Sequence, residues 1–301
     1  MFTGHLFNLR DFTNIPGLGL QRDCQFAFVG KIPTRVEPRL VACGKASHIS
    51  EALNEHGICG LIVPHELEEL VPPQYGLALS AEPMAALMQI QTVLAREGSG
   101  QWQDFDTRIH PDAIIKTGAI IAERNVVIGN GTTVHPGAII CERSIIGENC
   151  SIGPGAVIGT DAFEVDTTTD PQRIVPQSGG VQIGNHVDIQ AKCTVVRATF
   201  GGFTELGDET KFDCQVHFAH DSRTGRRVHI AACAEISGRV YFEDDVFVGP
   251  NVSITNGCRI GAGSFITIGS VVTRDVHPGG HVTGNFAVDH KKWLKFVGSV
   301  R

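Results

Sequence analysis

The sequence is short of charge, short of aromatic rings and free of long apolar runs, and each shortage excludes something. Charged residues make up 19% of the 301 positions and aromatic residues 7%. A chain dominated by long helices does not fit so few charges. No apolar stretch reaches the roughly 18 residues of a membrane-spanning helix, so no transmembrane segment is expected. The net charge is −7 and no long basic run occurs, so a nucleic-acid groove lacks its electrostatic footprint. The nine cysteines contain no CxxC pair. Met1 to Asp11 shows no basic segment leading into an apolar one. An odd, scattered cysteine count without an export signal predicts free thiols and a cytoplasmic location. The fingerprints GxSxG, GxGxxG and the P-loop are also missing.

What the sequence does have is glycine, 35 residues of it, and enough hydrophobic residues (42%) for a substantial core. That mixture predicts many short strands joined by tight turns. Residues 1–100 read differently from the rest. Gly60-Leu61-Ile62-Val63 predicts a buried strand. Ala81 to Glu97 places Met84, Leu87, Met88, Ile90, Val93 and Leu94 at helical spacing, and His48 to Glu55 predicts a second short helix. The whole predicts a small α+β domain, ended by the polar stretch Gly98 to Gln101.

From Ile109 a period of six sets in. Apolar anchors fall at Ile109, Ile115 and Ile121 and, after one extra residue, from Ile128 to Ile158. They resume at Ile183, Ile189 and Val195, then run without slippage from Leu206 to Val272, with Thr224 the one polar anchor. The fourth residue after each anchor is nearly always small or β-branched. Two linked constraints at one period predict a parallel β-helix: each hexad forms one flat face, three close a coil, and coils stack. Glycines after several anchors, such as Gly129 and Gly147, are read as corners needing an unusual backbone conformation. The β-helix is assigned to 101–281, with an insertion loop over 159–182 and a second break at Gly201-Gly202. Insertions in repeat proteins cluster on one face, often the binding face. The tail, 282–301, predicts a short helix over His290 to Val297.

Chemistry concentrates in Asp213 to Asp221, with His229 beyond it. His220 follows its anchor Phe218 by two residues on a regular coil. Asp213 and Asp221 are both near enough in sequence to orient its ring. Acyl transfer needs a neutral imidazole to take a proton and a backbone N–H to hold the oxyanion, and rigid coils can supply both. A zinc site built from His217, His220 and His229 is the rival chemistry, and a noncatalytic binding platform is a third reading.

At these residues the chain resembles the UDP-3-O-acylglucosamine N-acyltransferases of lipid A biosynthesis, from about residue 40 to 290. Gly159-Thr160-Asp161-Ala162-Phe163, the loop into Gly179–Gly184, the Phe212 to His220 stretch and the array through Gly238 carry the resemblance. It implies a mainly β protein: a left-handed parallel β-helix of hexapeptide repeats, with a small N-terminal α+β domain and a short C-terminal helical tail. It implies a homotrimer with active sites between neighbouring helices. His220 would be the catalytic base, Asp213 an acidic residue beside it, and Gly238 the oxyanion donor. Asp161, Phe163, His217 and Asp221, in the same segments, are expected to contact substrate. The acyl group would come from acyl-carrier protein, or a CoA thioester, and pass to an amino sugar, with no permanently bound cofactor and no metal. Nucleotide-amino-sugar N-acetyltransferases, which use acetyl-CoA, share the His220-Asp221 pair and Val228 to Ala231. Two positions depart from the first family's pattern: its second active-site histidine falls on Gly257, and its uracil-stacking aromatic pair has no counterpart in Cys43 to Ile49.

Overall fold

A computed structural model describes residues 3–32, 36–96, 99, 101–284 and 287–299. Glu97, Gly98 and Gly100, at the end of the expected helix and in the expected linker, lie outside the described residues. The N-terminal part is a five-stranded sheet of β1 (Gly19–Arg22), β2 (Phe28–Gly30), β3 (Arg39–Ala42), β4 (Ile58–Val63) and β5 (Gly76–Leu79). Its order is β1-β5-β4-β3-β2, all parallel except β1. Alternation along the central strands serves two faces, as a parallel sheet covered on both sides requires. Leu40, Ile62 and Ala78 pack toward helix α2 (Pro83–Leu94), and Val41, Leu61 and Leu77 toward helix α1 (Ala46–Leu53). Helix α2 starts on proline at its first turn, where the missing N–H costs nothing. It buries Leu87, Met88, Ile90 and Leu94 as the spacing predicts, but Met84 and Val93 face solvent. Gln91 takes a place in the buried stripe instead.

The rest is the hexapeptide β-helix, left-handed, with three parallel sheets of eight, nine and eight strands. In chain order the first face begins at Arg108–Ile109, the second at Ile114–Ile115 and the third at Ile120–Ile121. Strands repeat every 18 residues within a face, as Thr133 pairs with Ser151 and His217 with Glu235. Anchors from Ile128 to Val272 fill one continuous core. Ile109 and Ile115 remain exposed because the first coil has no coil beneath it. Phe212, Phe218 and Phe242 pile up inside the middle coils, with ring centroids 5.3 and 6.3 Å apart. The polar anchor Thr224 is also buried: its hydroxyl accepts the Gly207 N–H at 2.9 Å and meets Thr210 Oγ1 at 3.0 Å. The small residues near the corners do more than save space. Ser222 Oγ donates to the Ser237 carbonyl at 3.0 Å and accepts from Val240 N–H at 3.1 Å, tying one coil to the next.

The glycines after anchors have a different cause from the one the sequence suggests. Gly129 has no left-handed backbone; a methyl there would sit 2.5 Å from the Gly147 carbonyl oxygen of the next coil. The left-handed corner positions are instead filled by residues such as Gln215, Asp221, Arg239 and Gly257. Coil stacking, not turn conformation, excludes the side chain after the anchor.

The insertion contains a hairpin pairing Val165–Asp166 with Arg173–Ile174. Rather than forming only a free flap, it anchors the N-terminal domain. Val175 of the insertion and Phe200 of the second break join the core beneath α2. Buried Gln91 donates to the Pro176 carbonyl at 2.9 Å and the Thr199 carbonyl at 3.2 Å. Lys31 pairs with Glu164 at 2.8 Å. Helix α3 (His290–Ser299) covers the expected tail helix and leaves Trp293, Leu294 and Phe296 exposed.

All nine cysteines are free thiols. Burial pushes the Cys43 thiol up to about 12 and the Cys193 thiol up to about 11. Against an ordinary thiol these groups hold roughly 10²–10³-fold less thiolate at pH 8. Exposed Cys233 is therefore expected to take iodoacetamide first, with Cys43 and Cys193 protected until the fold opens. Peptide mass spectrometry over a labelling time course checks this; early modification of Cys43 would contradict it.

Candidate active site

The insertion after Val157–Thr160 and the break after Thr194–Val196 both leave the array at one edge of the solenoid, between the third and first faces, and the regular corner after His217–Phe218 that carries His220 stands at the same edge. His220 Nδ1 lies 2.7 Å from Asp221 Oδ2, and both side chains are largely shielded, at 14% and 16% exposure. A carboxylate at this distance favours the ring tautomer that donates from Nδ1, and in the neutral imidazole that tautomer leaves the lone pair on Nε2. The backbone of Asp221 is fixed in turn, its N–H donating to Thr204 Oγ1 at 2.9 Å.

Gly238 sits one coil further along the same edge and is buried. A methyl built on it would fall 2.6 Å from both Cε1 and Nε2 of His220. The glycine thus borders the free nitrogen, and only glycine leaves the ring its place. Its carbonyl accepts from Gly257 N–H at 3.0 Å. Its own N–H has no acceptor among the described residues, which leaves it available to a developing negative oxygen.

Of the two carboxylates near His220 in sequence, the fold selects Asp221. Asp213 stands at a different edge, between the second and third faces, where Oδ1 accepts the Cys214 N–H at 2.6 Å. Within one chain it does not pair with His220. It lines an open cleft of about 640 Å³ with Lys211, His229, Gln190 and Phe247. The cause is the geometry of a hexad: seven residues carry the chain across a whole face. His217 points outward from the third face, with Nε2 3.7 Å from Glu235 Oε1. His217, His220 and His229 thus stand on the third face, at an edge and on the second face. Among the described residues no group of three metal-ligating side chains gathers.

Asp161 lies 3.3 Å from Arg197 Nε, and Phe163 is 87% exposed at the insertion's start. Gly257 has φ of +78° and open space where a side chain would stand. With Asp221, Arg239 and Tyr241 it lines a smaller cleft of about 130 Å³, which touches the His220 corner through Asp221. Arg239 went unremarked in the sequence; its spacing of 18 from Asp221 was the available signal. A further cleft of about 580 Å³ opens in the N-terminal domain, lined by Gly44, His48, His65, Glu66 and Met84. The Cys43 to Ile49 segment thus borders a cleft although it lacks the aromatic pair, and Cys43 itself is buried behind it.

Comparison with known proteins agrees with this architecture. Residues 125–160 match the family described as bacterial transferase hexapeptide (six repeats). A UDP-3-O-acylglucosamine N-acyltransferase from Methylorubrum extorquens is 35% identical over 167 residues, 56% of this chain and 45% of that protein. The chain therefore spans less than half the length of that relative. An acyl-[acyl-carrier-protein]–UDP-N-acetylglucosamine O-acyltransferase from Campylobacter concisus is 30% identical over 192 residues, 60% of this chain and 71% of that protein. Among solved structures, LpxA from Acinetobacter baumannii superposes with a TM-score of 0.50 at 26% identity, covering 62% of this chain and 77% of that one.

Proposed function

The chain belongs to the hexapeptide-repeat acyltransferase family of lipid A biosynthesis, and on that premise we propose that it transfers an acyl group from a carrier-protein thioester to the amine of a nucleotide-linked amino sugar. The observation that carries the reading is the His220 corner, with Nδ1 on Asp221 and Nε2 beside Gly238. Nε2 takes the proton of the attacking amine as nitrogen bonds to the thioester carbonyl carbon. The Gly238 N–H steadies the oxyanion, and collapse expels the carrier thiolate, which recovers the proton. The Asp221 carboxylate stabilises the imidazolium formed in between. Acyl-carrier protein as donor is favoured over a CoA thioester by the name of the Campylobacter relative. No cofactor is assigned, because each step uses the chain's own groups.

A homotrimer completes the site in this reading. Asp213 and its cleft stand at a different edge from His220, so a neighbouring copy must bring the two together. A closed ring of three copies does this with one repeated interface. His217, on the third face, and Asp161 and Phe163, at the insertion, are read as facing substrate in that assembly. No helix among the described residues is long and apolar enough to cross a membrane; we place the reaction in the cytoplasm.

The Campylobacter relative favours a second acceptor, a sugar hydroxyl, since the chain covers 71% of that protein. The test is incubation with acyl-carrier proteins of several chain lengths and UDP-linked sugars bearing either a free amine or an acetylated one. The amide product expected here survives mild alkali; an ester, which does not, would move the reading to O-acylation. No acylated sugar from any pair would overturn both.

Gly238→Ala is expected to cut turnover at least tenfold, because the added methyl displaces the ring from its position. Substrate affinity should change little. Steady-state kinetics check the split; wild-type kcat in the variant would detach Gly238 from the site.

A further inference from the structure

The corner after the third face repeats every 18 residues, and Asp221, Arg239 and Gly257 are its left-handed positions in three successive coils. Neighbouring coils lie about 4.8 Å apart, so these three form a short column beside His220. Asp221 is committed to His220. Gly257 adds no side chain and leaves the space above open. Arg239 therefore owns the middle of the column.

Three arginines line the cleft here. Arg223 is paired with Glu205 at 3.2 Å, and Arg259 Nε donates to Glu243 at 2.9 Å while its guanidinium lies over the Tyr241 ring. Arg239 has no carboxylate partner among the described residues. Its main-chain N–H is fixed on the His220 carbonyl at 2.9 Å, yet its guanidinium, in a half-buried position, is left with unused donors. A half-buried fork of donors with no internal acceptor is suited to a bidentate anion. The cleft of about 130 Å³ is far below the roughly 300–1,000 Å³ of a pocket for a whole small molecule. It has room for a single compact group.

We propose that Arg239 anchors a phosphate group of a substrate beside His220, in the space that Gly257 leaves free. The inference rests on the acyl-transfer reading for its placement next to the reacting atoms. Phosphate could come from the diphosphate of a nucleotide sugar or from the phosphopantetheine arm of the acyl donor, and the two sources can be separated. In this role Arg239 holds substrate and takes no part in proton transfer.

The test is calorimetric titration of the full chain, wild type, Arg239→Gln, Arg239→Lys and His220→Ala, with UDP-N-acetylglucosamine, uridine, 4′-phosphopantetheine and pantetheine. Melting temperatures confirm that each variant is folded. Arg239→Gln is expected to weaken one phosphorylated probe at least tenfold and leave its unphosphorylated counterpart unchanged, with partial recovery in Arg239→Lys. Loss confined to UDP-N-acetylglucosamine assigns the nucleotide diphosphate; loss confined to phosphopantetheine assigns the donor arm. His220→Ala should bind like wild type. Equal affinities in wild type and Arg239→Gln for both phosphorylated probes, or no binding of either by wild type, overturns the proposal. Wild-type acyl transfer with an indifferent Arg239→Gln removes this inference alone. Arginine-dependent phosphate binding without acyl transfer removes the functional reading alone.

Discussion

His220→Ala is expected to lower kcat for acyl transfer by roughly 10²–10⁴-fold, the usual worth of a positioned general base. The fold should survive. His220 is at a solenoid edge, not in the anchor core, and its one side-chain bond is to Asp221. Losing that bond costs about 1 kcal/mol, with some further penalty for a half-buried carboxylate left without its partner. Melting should therefore shift by a few degrees while the oligomer stays intact. Equal turnover in wild type and variant would remove His220 from the chemistry. Loss of activity together with loss of the oligomer would show a structural role instead.

Phe218→Ala should do the reverse, breaking stability first. The ring is fully buried between Phe212 and Phe242 in the middle of the continuous core. Truncating a buried phenylalanine costs about 3–5 kcal/mol, because a rigid neighbourhood cannot close the cavity. A solenoid couples each coil chiefly to its neighbours. The damage should accordingly be local, with faster hydrogen exchange in the coils holding Phe212, Phe218 and Phe242 and little change near Ile128 or Ile266. Phe218 is also two residues from His220, so activity should fall with coil order. Denaturant titration with hydrogen-exchange mass spectrometry reads both effects. A cost below about 1 kcal/mol, the range of volume-conserving swaps, would mean the site relaxes as no packed core does.

The hexad array could be read from the sequence because each anchor answers to one local rule: it must fill the same slot as the residue 18 positions away. That rule needs no knowledge of distant contacts, so Ile128 to Val272 fell into place. The first coil failed it only in burial, since nothing in a repeat announces where stacking stops. The site was half readable. His220 stood out by residue type and position, and Gly238 through the family resemblance, but Asp221 rather than Asp213 emerged as its partner only from the side-chain contact in the folded coil. Glycine after the anchor was readable as a constraint but not in its cause, which lies in the backbone of another coil. The docking of α2 on the insertion was not readable at all. Gln91 resembles any polar residue on a helix until Pro176 and Thr199 supply the carbonyls it meets. Arg239 likewise matters through what fails to pair with it, which only the folded coil reveals.

The central claim, that a base on one edge meets a cleft on the edge of a neighbouring copy, has a direct measurement. Trimers of His220→Ala alone and of Asp213→Asn alone are each expected to be at least tenfold below wild type in acyl transfer. After the two are unfolded and refolded together in equal amounts, random assembly leaves about a quarter of the sites with both halves intact, given one repeated interface in a closed ring. The account predicts recovery of activity toward that fraction of wild type, with the recovery disappearing when either variant is refolded alone. Activity no greater than the weighted sum of the two separate variants would contradict it.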